Sequence, residues 1–394
     1  RPWKVVAGVV CLTIAVYGLL SSIGLFSSYW HQHMLQDYTP SQVSWIISIF
    51  GFLDCFMDLP LGELFDRHGT RWLLPIGCVV YAASFVGLAF SSTYGQLMGC
   101  MVVAGISAAI PTTVALTVVR QWFHKRMGLA TGLVTTGAAL GGIFFSLVLQ
   151  ELFQSYPWRT AIIILTCILA GFMVLGWLLI ETNTSQRTAG SPPRSTFGEL
   201  LGSLKFWLIS YAMFGDELVL FIQWGSIPSY AIATRSGGDQ FYLMMAYNIG
   251  AVVGRTAIPY LSDRIRALGP IRTLILMNIF TLLTVVAIWL PLGGTSITRL
   301  FAIVVLMGIG TGSTVPLGSV CVRELREDHS HGLWLGTVYT RCEFNTLIGN
   351  PSTEAILHDY GPNALVGFLG GVLLSGLISM ICLPWRMSVE AKVR

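Results

Sequence analysis

The chain has 394 residues, 54% of them hydrophobic and only 11% charged, with a mean hydropathy of +0.70. Soluble domains carry roughly 25% charged residues, so these values exclude a water-soluble fold and predict a membrane protein. The net charge of +4 reflects topology, as the placement of the basic residues shows, and points to no nucleic-acid partner.

Apolar runs long enough to cross a bilayer, roughly 20 residues each, recur along nearly the whole chain. Twelve spans are predicted, near 5–28, 41–62, 72–91, 94–119, 127–150, 158–180, 205–230, 239–261, 271–291, 297–320, 332–356 and 363–385. Cytoplasmic loops retain Lys and Arg. With both termini inside, the inner segments hold 18 of these residues and the outer loops three, Arg159, Arg235 and Arg299. Arg255 and Arg341 fall within spans. The first run is too long for a cleavable signal. All eight cysteines lie in or beside spans without metal-like spacing, and are expected to be small core residues. The sequon Asn183-Thr184-Ser185 falls on the cytoplasmic side, where it is expected to go unused.

The two halves repeat one another. Gly105-Ile106, Pro111 and Val119-Arg120 are echoed by Gly308-Ile309, Pro316 and Val322-Arg323, and "GLATG" at 128–132 is answered by "GLWLG" at 332–336. Asp66-Arg67 after the second span is matched by Asp263-Arg264 after the eighth, 197 residues on. One six-helix unit therefore occurs twice in the same orientation, the parallel repeat of a two-bundle transporter. The polar segment 181–204, rich in Ser, Thr, Gly and Pro, reads as a cytoplasmic linker. It separates an N-terminal bundle, 1–180, from a C-terminal bundle, 205–394.

The loop "GELFDRHGTR" at 62–71 resembles the Gly-x-Leu-x-Asp-Arg-x-Gly-x-Arg/Lys signature of the major facilitator superfamily, and the resemblance spans the chain. Within it, "YGLLSSIGLFSSYW", "SQVSWIISI" and "RQWFHKRMGLATGLVTTGAALGG" look like the fungal branch of monocarboxylate porters. The resemblance implies alternating access around a central site. It also implies a cytoplasmic latch made by Asp66, Arg67 and Arg71, with Asp66 near the N-terminal dipole of the eleventh span. The second-half echo, Asp263 and Arg264, joins the gate residues. It further places the second span against the eleventh and the fifth against the eighth.

Ionisable groups inside a span cost roughly 2.5–3.5 kcal/mol each on insertion scales and usually face a cavity or a partner. Seven are counted: Asp54, Asp58, Asp216, Glu217, Arg255, Arg341 and Glu343. Five acids against two bases leave an acid available to carry a proton, with Asp54, Asp216, Glu217 and Glu343 as candidates. One of the adjacent pair Asp216-Glu217 is expected to face its own bundle, hydrogen-bonded and structural. Asp58 and Arg341 each lie about 12–13 Å from the cytoplasmic end by helical rise, and are expected to bridge the bundles as a gate.

The 197-residue offset maps Asp58 onto Arg255. The fifth span offers Arg255 no acid, only Thr131, Thr135, Thr136 and Ser146. A guanidinium without a protein carboxylate is suited to receive one from a substrate through its planar donor fork; snorkelling to the interface, or bonding helix-end carbonyls, is the competing reading. In monocarboxylate porters the resemblance implies an aspartate four residues before this arginine and a lysine on the first span, but here those positions are Ala251 and Ser21. Tyr17, Ser21, Thr112, Asn248, Trp224, Tyr339 and Asn345 are further candidates to line a pocket. His31 and His33 read as solvated surface residues.

The sequence thus predicts an all-α membrane protein of twelve helices in two pseudo-symmetric bundles. It would be a monomer carrying a small organic anion, a monocarboxylate, with or without a coupled proton, in the plasma membrane by family default. Two alternatives stay open: export of a larger secondary metabolite or drug-like compound, and a non-transporting receptor on the same fold. No phosphate loop, nucleophile elbow or metal-spaced His pair is present, so neither an enzyme, a cofactor nor a metal is expected.

Overall fold

The computed structural model describes residues 2–57, 61, 70–122, 127–180, 201–234, 240–265, 269–324 and 331–393. Asp58, Asp66, Arg67 and most of the linker lie outside the described residues, as does the side chain of Arg71.

Among the described residues the secondary structure is helical throughout. In the first half, α1 (Pro2–Thr13) passes through a π-turn (Ile14–Gly18) and a short break into α2 (Gly24–His33), followed by α3 (Pro40–Phe56), α4 (Thr70–Ala89), α5 (Tyr94–Trp122), α6 (Met127–Ser155) and α7 (Trp158–Leu179). The second half holds α8 (Leu204–Ala233), α9 (Gln240–Arg264), α10 (Gly269–Leu283), a π-turn (Thr284–Trp289), α11 (Leu290–Leu292), α12 (Ile297–Gly312), α13 (Thr314–Glu324), α14 (His331–Tyr360) and α15 (Pro362–Val393). Three predicted spans are thus interrupted. The first breaks where Gly18 packs so closely on Gly141 of α6 that a Cβ on either would collide with the other's backbone. At the break, Ser21 Oγ donates to Gly18 O at 2.8 Å, and π-turns are a usual way to absorb such a local shift. The tenth span breaks at Ser313, after Gly308, Gly310 and Gly312.

Local chemistry sets several helix ends. Thr39 and Gln42 form a reciprocal capping box at the start of α3, with Pro40 at its first position, satisfying two amides that the helix leaves open. Gly361 takes φ +86° between α14 and α15, a conformation that L side chains resist.

Among the described residues, eight helical stretches are long and apolar enough to span a membrane. The remaining four predicted spans are α1–α2, α3, α9 and α14. Of these, α9 and α14 carry the polar load, Asn248 and Arg255 in one and Arg341, Glu343, Asn345, Asn350 and Glu354 in the other. Polarity lowers their hydropathy because these helices face protein more than lipid. Conversely, Trp72, Val79 and Leu178 stand exposed on the outer helices, where lipid would solvate them.

Inside the first half α1 packs on α5, α6 and α7, and α4 on α5 and α7; inside the second, α8 packs on α14 and α15, and α9 on α12. The α9–α12 contact is backbone against backbone, since a Cβ at Gly250, Gly254 or Gly308 would meet main-chain atoms of the partner helix. Small residues allow that approach, which replaces the hydrophobic effect as the adhesive between helices in lipid. One expectation is corrected. Cys321 and Cys342 are buried, but Cys167 and Cys382 are exposed, on helix faces that lipid covers.

Candidate functional site

Among the described residues four helix pairs join the halves: α6 with α9, α3 with α14, α2 with α8 and α6 with α13. The first two are the pairings that the sequence anticipates. Arg255 Nη1 of α9 donates to the Thr135 carbonyl of α6 at 2.6 Å. Seven residues along each helix, two turns in opposite directions, Gly142 meets Asn248, where a Cβ would collide with both Asn248 Oδ1 and Ser21 Oγ. On the other seam, Ser41 Oγ donates to Pro351 O at 2.7 Å, and Phe344 packs between Phe52 and Phe56, with centroids 5.5 and 6.3 Å away. Where α2 meets α8, Gly24 sits against the carbonyls of Trp224 and Gly225.

Arg255 is 2% exposed. This burial rules out snorkelling to the interface. Its Nε has no hydrogen-bond partner among the described residues. The expectation that no protein carboxylate is near requires correction: Glu217 of α8, 4% exposed, lies within electrostatic range, although no ion pair forms between them. The fifth span carries no acid beside Arg255, whereas the seventh supplies one. Glu217 Oε1 also lacks a partner. A buried polar atom left unsatisfied costs about 1–3 kcal/mol, more when charged, and here two such groups lie within electrostatic range of each other.

The neighbouring carboxylate behaves differently. Asp216 accepts from Asn278 Nδ2 of α10 at 3.0 Å, inside its own bundle. Asp54, fully buried, accepts from Thr112 Oγ1 at 3.3 Å, which ties α3 to α5 within the first bundle. Glu343 is buried near Tyr339 and Cys342.

A second polar centre surrounds the Tyr247 hydroxyl. It pairs with Thr311 Oγ1 at 2.8 Å, and Thr311 in turn donates to Gln223 Oε1 at 3.2 Å. The Trp224 indole lies beside the same hydroxyl. Gln223 Nε2 and Trp224 Nε1 are both buried without an acceptor among the described residues. Gln223, Tyr247 and Thr311 were not picked out from sequence; a glutamine within the otherwise apolar run "LVLFIQW" was the available signal.

Of the other predicted pocket residues, Asn248 Nδ2 is spent on Met244 O at 2.9 Å while its Oδ1 lacks a donor. Asn345 Nδ2 donates to Phe214 O across the α8–α14 contact. Tyr339 donates to Val315 O at 3.2 Å, and Tyr17 lies 3.9 Å from Cys55 Sγ. These last three serve packing between helices in this conformation. Ser21 stands on the seam beside Gly142 and Asn248, whereas Thr112 stands on Asp54.

Among the gate residues, Asp58 lies outside the described residues, and the expected Asp58–Arg341 bridge lies outside them with it. Arg341 itself donates to Ser210 Oγ at 3.1 Å and stacks over Trp207, 4.8 Å to the ring centroid, both on α8 of its own bundle. Such a cation–π contact anchors the guanidinium to α8. Asp263 is exposed, and Arg264 bonds Tyr260 at 3.0 Å. Glu354, omitted from the count of seven, is 3% exposed and bonded by Ser226 and Ser229 of α8. It falls within the predicted eleventh span and belonged in the count.

Comparison with known proteins follows this geometry. The chain is 29% identical to the MFS-type transporter opdF of Penicillium oxalicum, over 98% of its length and 91% of the relative's. It is 27% identical to the riboflavin transporter MCH5 of Saccharomyces cerevisiae, covering 91% of this chain and 72% of that one. With the agnestins efflux protein AgnL12 of Paecilomyces divaricatus it shares 25% identity across the whole chain and 88% of the relative. The profile of the Major Facilitator Superfamily matches residues 7–340. Helices in two joined bundles, a repeat in one orientation and a profile spanning most of the sequence agree: the chain belongs to the major facilitator superfamily of membrane transporters.

Proposed function

We propose that this protein carries an organic acid between its two bundles by alternating access, with the acid group held by Arg255. The observation that carries the reading is the buried guanidinium on the α6–α9 seam, bonded to one backbone carbonyl and with Nε unengaged. A guanidinium fork matches a carboxylate in geometry and charge. It also stands where relative motion of the bundles would remake its contact with Thr135, so cargo and conformation are linked at one residue.

The resemblance to monocarboxylate porters suggests a small acid. The relatives favour a larger one, since two of them are described by riboflavin and agnestins as cargo. We therefore place an acidic secondary metabolite ahead of a simple monocarboxylate. The excess of basic residues on the terminal side of the spans supports cytoplasmic termini, and we assign the protein to the plasma membrane by that family's default.

The test is a thermal-shift comparison on the purified chain in detergent, pairing organic acids with their methyl esters. Acids should stabilise the protein and esters should not, and Arg255→Gln should remove the difference. Equal shifts for acid and ester, or a difference that survives Arg255→Gln, would remove the anion reading. A ligand that stabilises the protein but shows no flux in proteoliposomes would favour a receptor.

A further inference from the structure

The Arg255 reading leaves the far end of the cargo unspecified, and the Tyr247 centre addresses it. Gln223 Nε2 and Trp224 Nε1 are neutral donors, both buried and both without an acceptor among the described residues. They share a location: Gln223 is held by Thr311, Thr311 by the Tyr247 hydroxyl, and Trp224 borders that same hydroxyl. Phe221 packs edge-on against Trp224, with ring centroids 5.1 Å apart, which puts a second aromatic ring beside the Trp224 donor. The location also belongs to the seam. The Trp224 carbonyl meets Gly24 of the opposite bundle, just as Arg255 meets Thr135.

Helical rise sets the backbone spacing of the two centres. Tyr247 and Arg255 are eight residues apart on α9, and Glu217 and Gln223 six apart on α8, so their backbone positions lie roughly 9–12 Å apart along the helices, with the Tyr247 and Arg255 side chains within electrostatic range of each other. We propose that Gln223 and Trp224 form a second recognition point for the cargo, which takes a carbonyl or hydroxyl oxygen. The cargo is then an elongated, oxygenated aromatic acid whose acid group and distal oxygen are separated by about two helical turns. A two- or three-carbon acid is too short to touch both centres. This inference rests on the Arg255 reading and sharpens it, since it selects the larger metabolite over the small monocarboxylate by length and by the polarity of the distant end.

The experiment uses three probes on the full chain in nanodiscs, with affinity read by calorimetry. The probes are 4′-acetylbiphenyl-4-carboxylate, 4′-ethylbiphenyl-4-carboxylate, which lacks only the distal oxygen, and benzoate, which lacks the length. Wild type should bind the acetyl acid about tenfold more tightly than the ethyl acid, the scale of one buried hydrogen bond, and benzoate weakest. Trp224→Phe, which removes the indole N–H but keeps an aromatic ring, and Gln223→Leu should each lower the ratio of acetyl-acid to ethyl-acid affinity toward one. Monodisperse elution and an unchanged unfolding temperature verify the fold; should Gln223→Leu misfold, Trp224→Phe decides alone. Equal binding of acetyl and ethyl acids by wild type, absence of acetyl-acid binding, or a preference untouched by both variants overturns the second recognition point. If Arg255→Gln leaves all acid binding intact, the underlying anion reading fails instead, so the two failures are distinguishable.

Discussion

Asp216 and Glu217 are adjacent on α8, and successive helical residues point about 100° apart. That rotation gives two carboxylates of one chemistry different surroundings: Asp216 turns to Asn278 in its own bundle, while Glu217 turns toward Arg255, Tyr247 and Tyr339. Asp216→Ala should lower the unfolding free energy by about 1 kcal/mol, the scale of a polar contact between membrane helices, with flux per folded molecule retained. Glu217→Gln should give the converse, a wild-type unfolding temperature with altered flux. Unfolding measurements alongside proteoliposome transport check both, and equal loss of stability in the two variants would contradict the division. Glu354 adds a third acid, fixed by Ser226 and Ser229; Glu354→Leu should loosen α8 from α14 and lower the unfolding temperature.

At the level of elements, the seam helices approach one another through glycine on both sides of the buried polar residues. Gly24 lies against the carbonyls of Trp224 and Gly225, with no room for a side chain. Gly24→Leu should hold α2 away from α8, which would raise the reaction of Ser21→Cys with a membrane-impermeant maleimide in a background lacking the native cysteines. Labelling that stays at the level of the Ser21→Cys protein alone would show that the close approach does not control access. Much of this arrangement is legible in the sequence. The 197-residue offset and the signature loops yield two bundles, and spans eight and eleven stand out by polarity alone. The break in the first span is harder to read, because it arises where Gly18 meets another helix at Gly141.

For the whole molecule, site composition depends on packing between distant segments, which explains the partial reading from sequence. Arg255 is identifiable as a lone cation in an apolar span. Its acidic neighbour Glu217 comes from a helix 38 residues away, and the Tyr247–Thr311–Gln223 chain draws on three helices, none marked by a motif. Topology is testable at the same scale. Tyr360, 78% exposed at the turn between α14 and α15, should be labelled from outside intact cells as Tyr360→Cys, and protection from an impermeant reagent would reverse the assigned orientation. The central claim, that cargo is held as an anion by Arg255, is tested most directly by proteoliposome flux of the best-binding organic acid through wild type, Arg255→Lys and Arg255→Ala, normalised to folded protein. The account predicts reduced flux in the lysine variant, which keeps the charge without the fork, and near-complete loss in the alanine variant at an unchanged unfolding temperature. Wild-type flux through Arg255→Ala would contradict it.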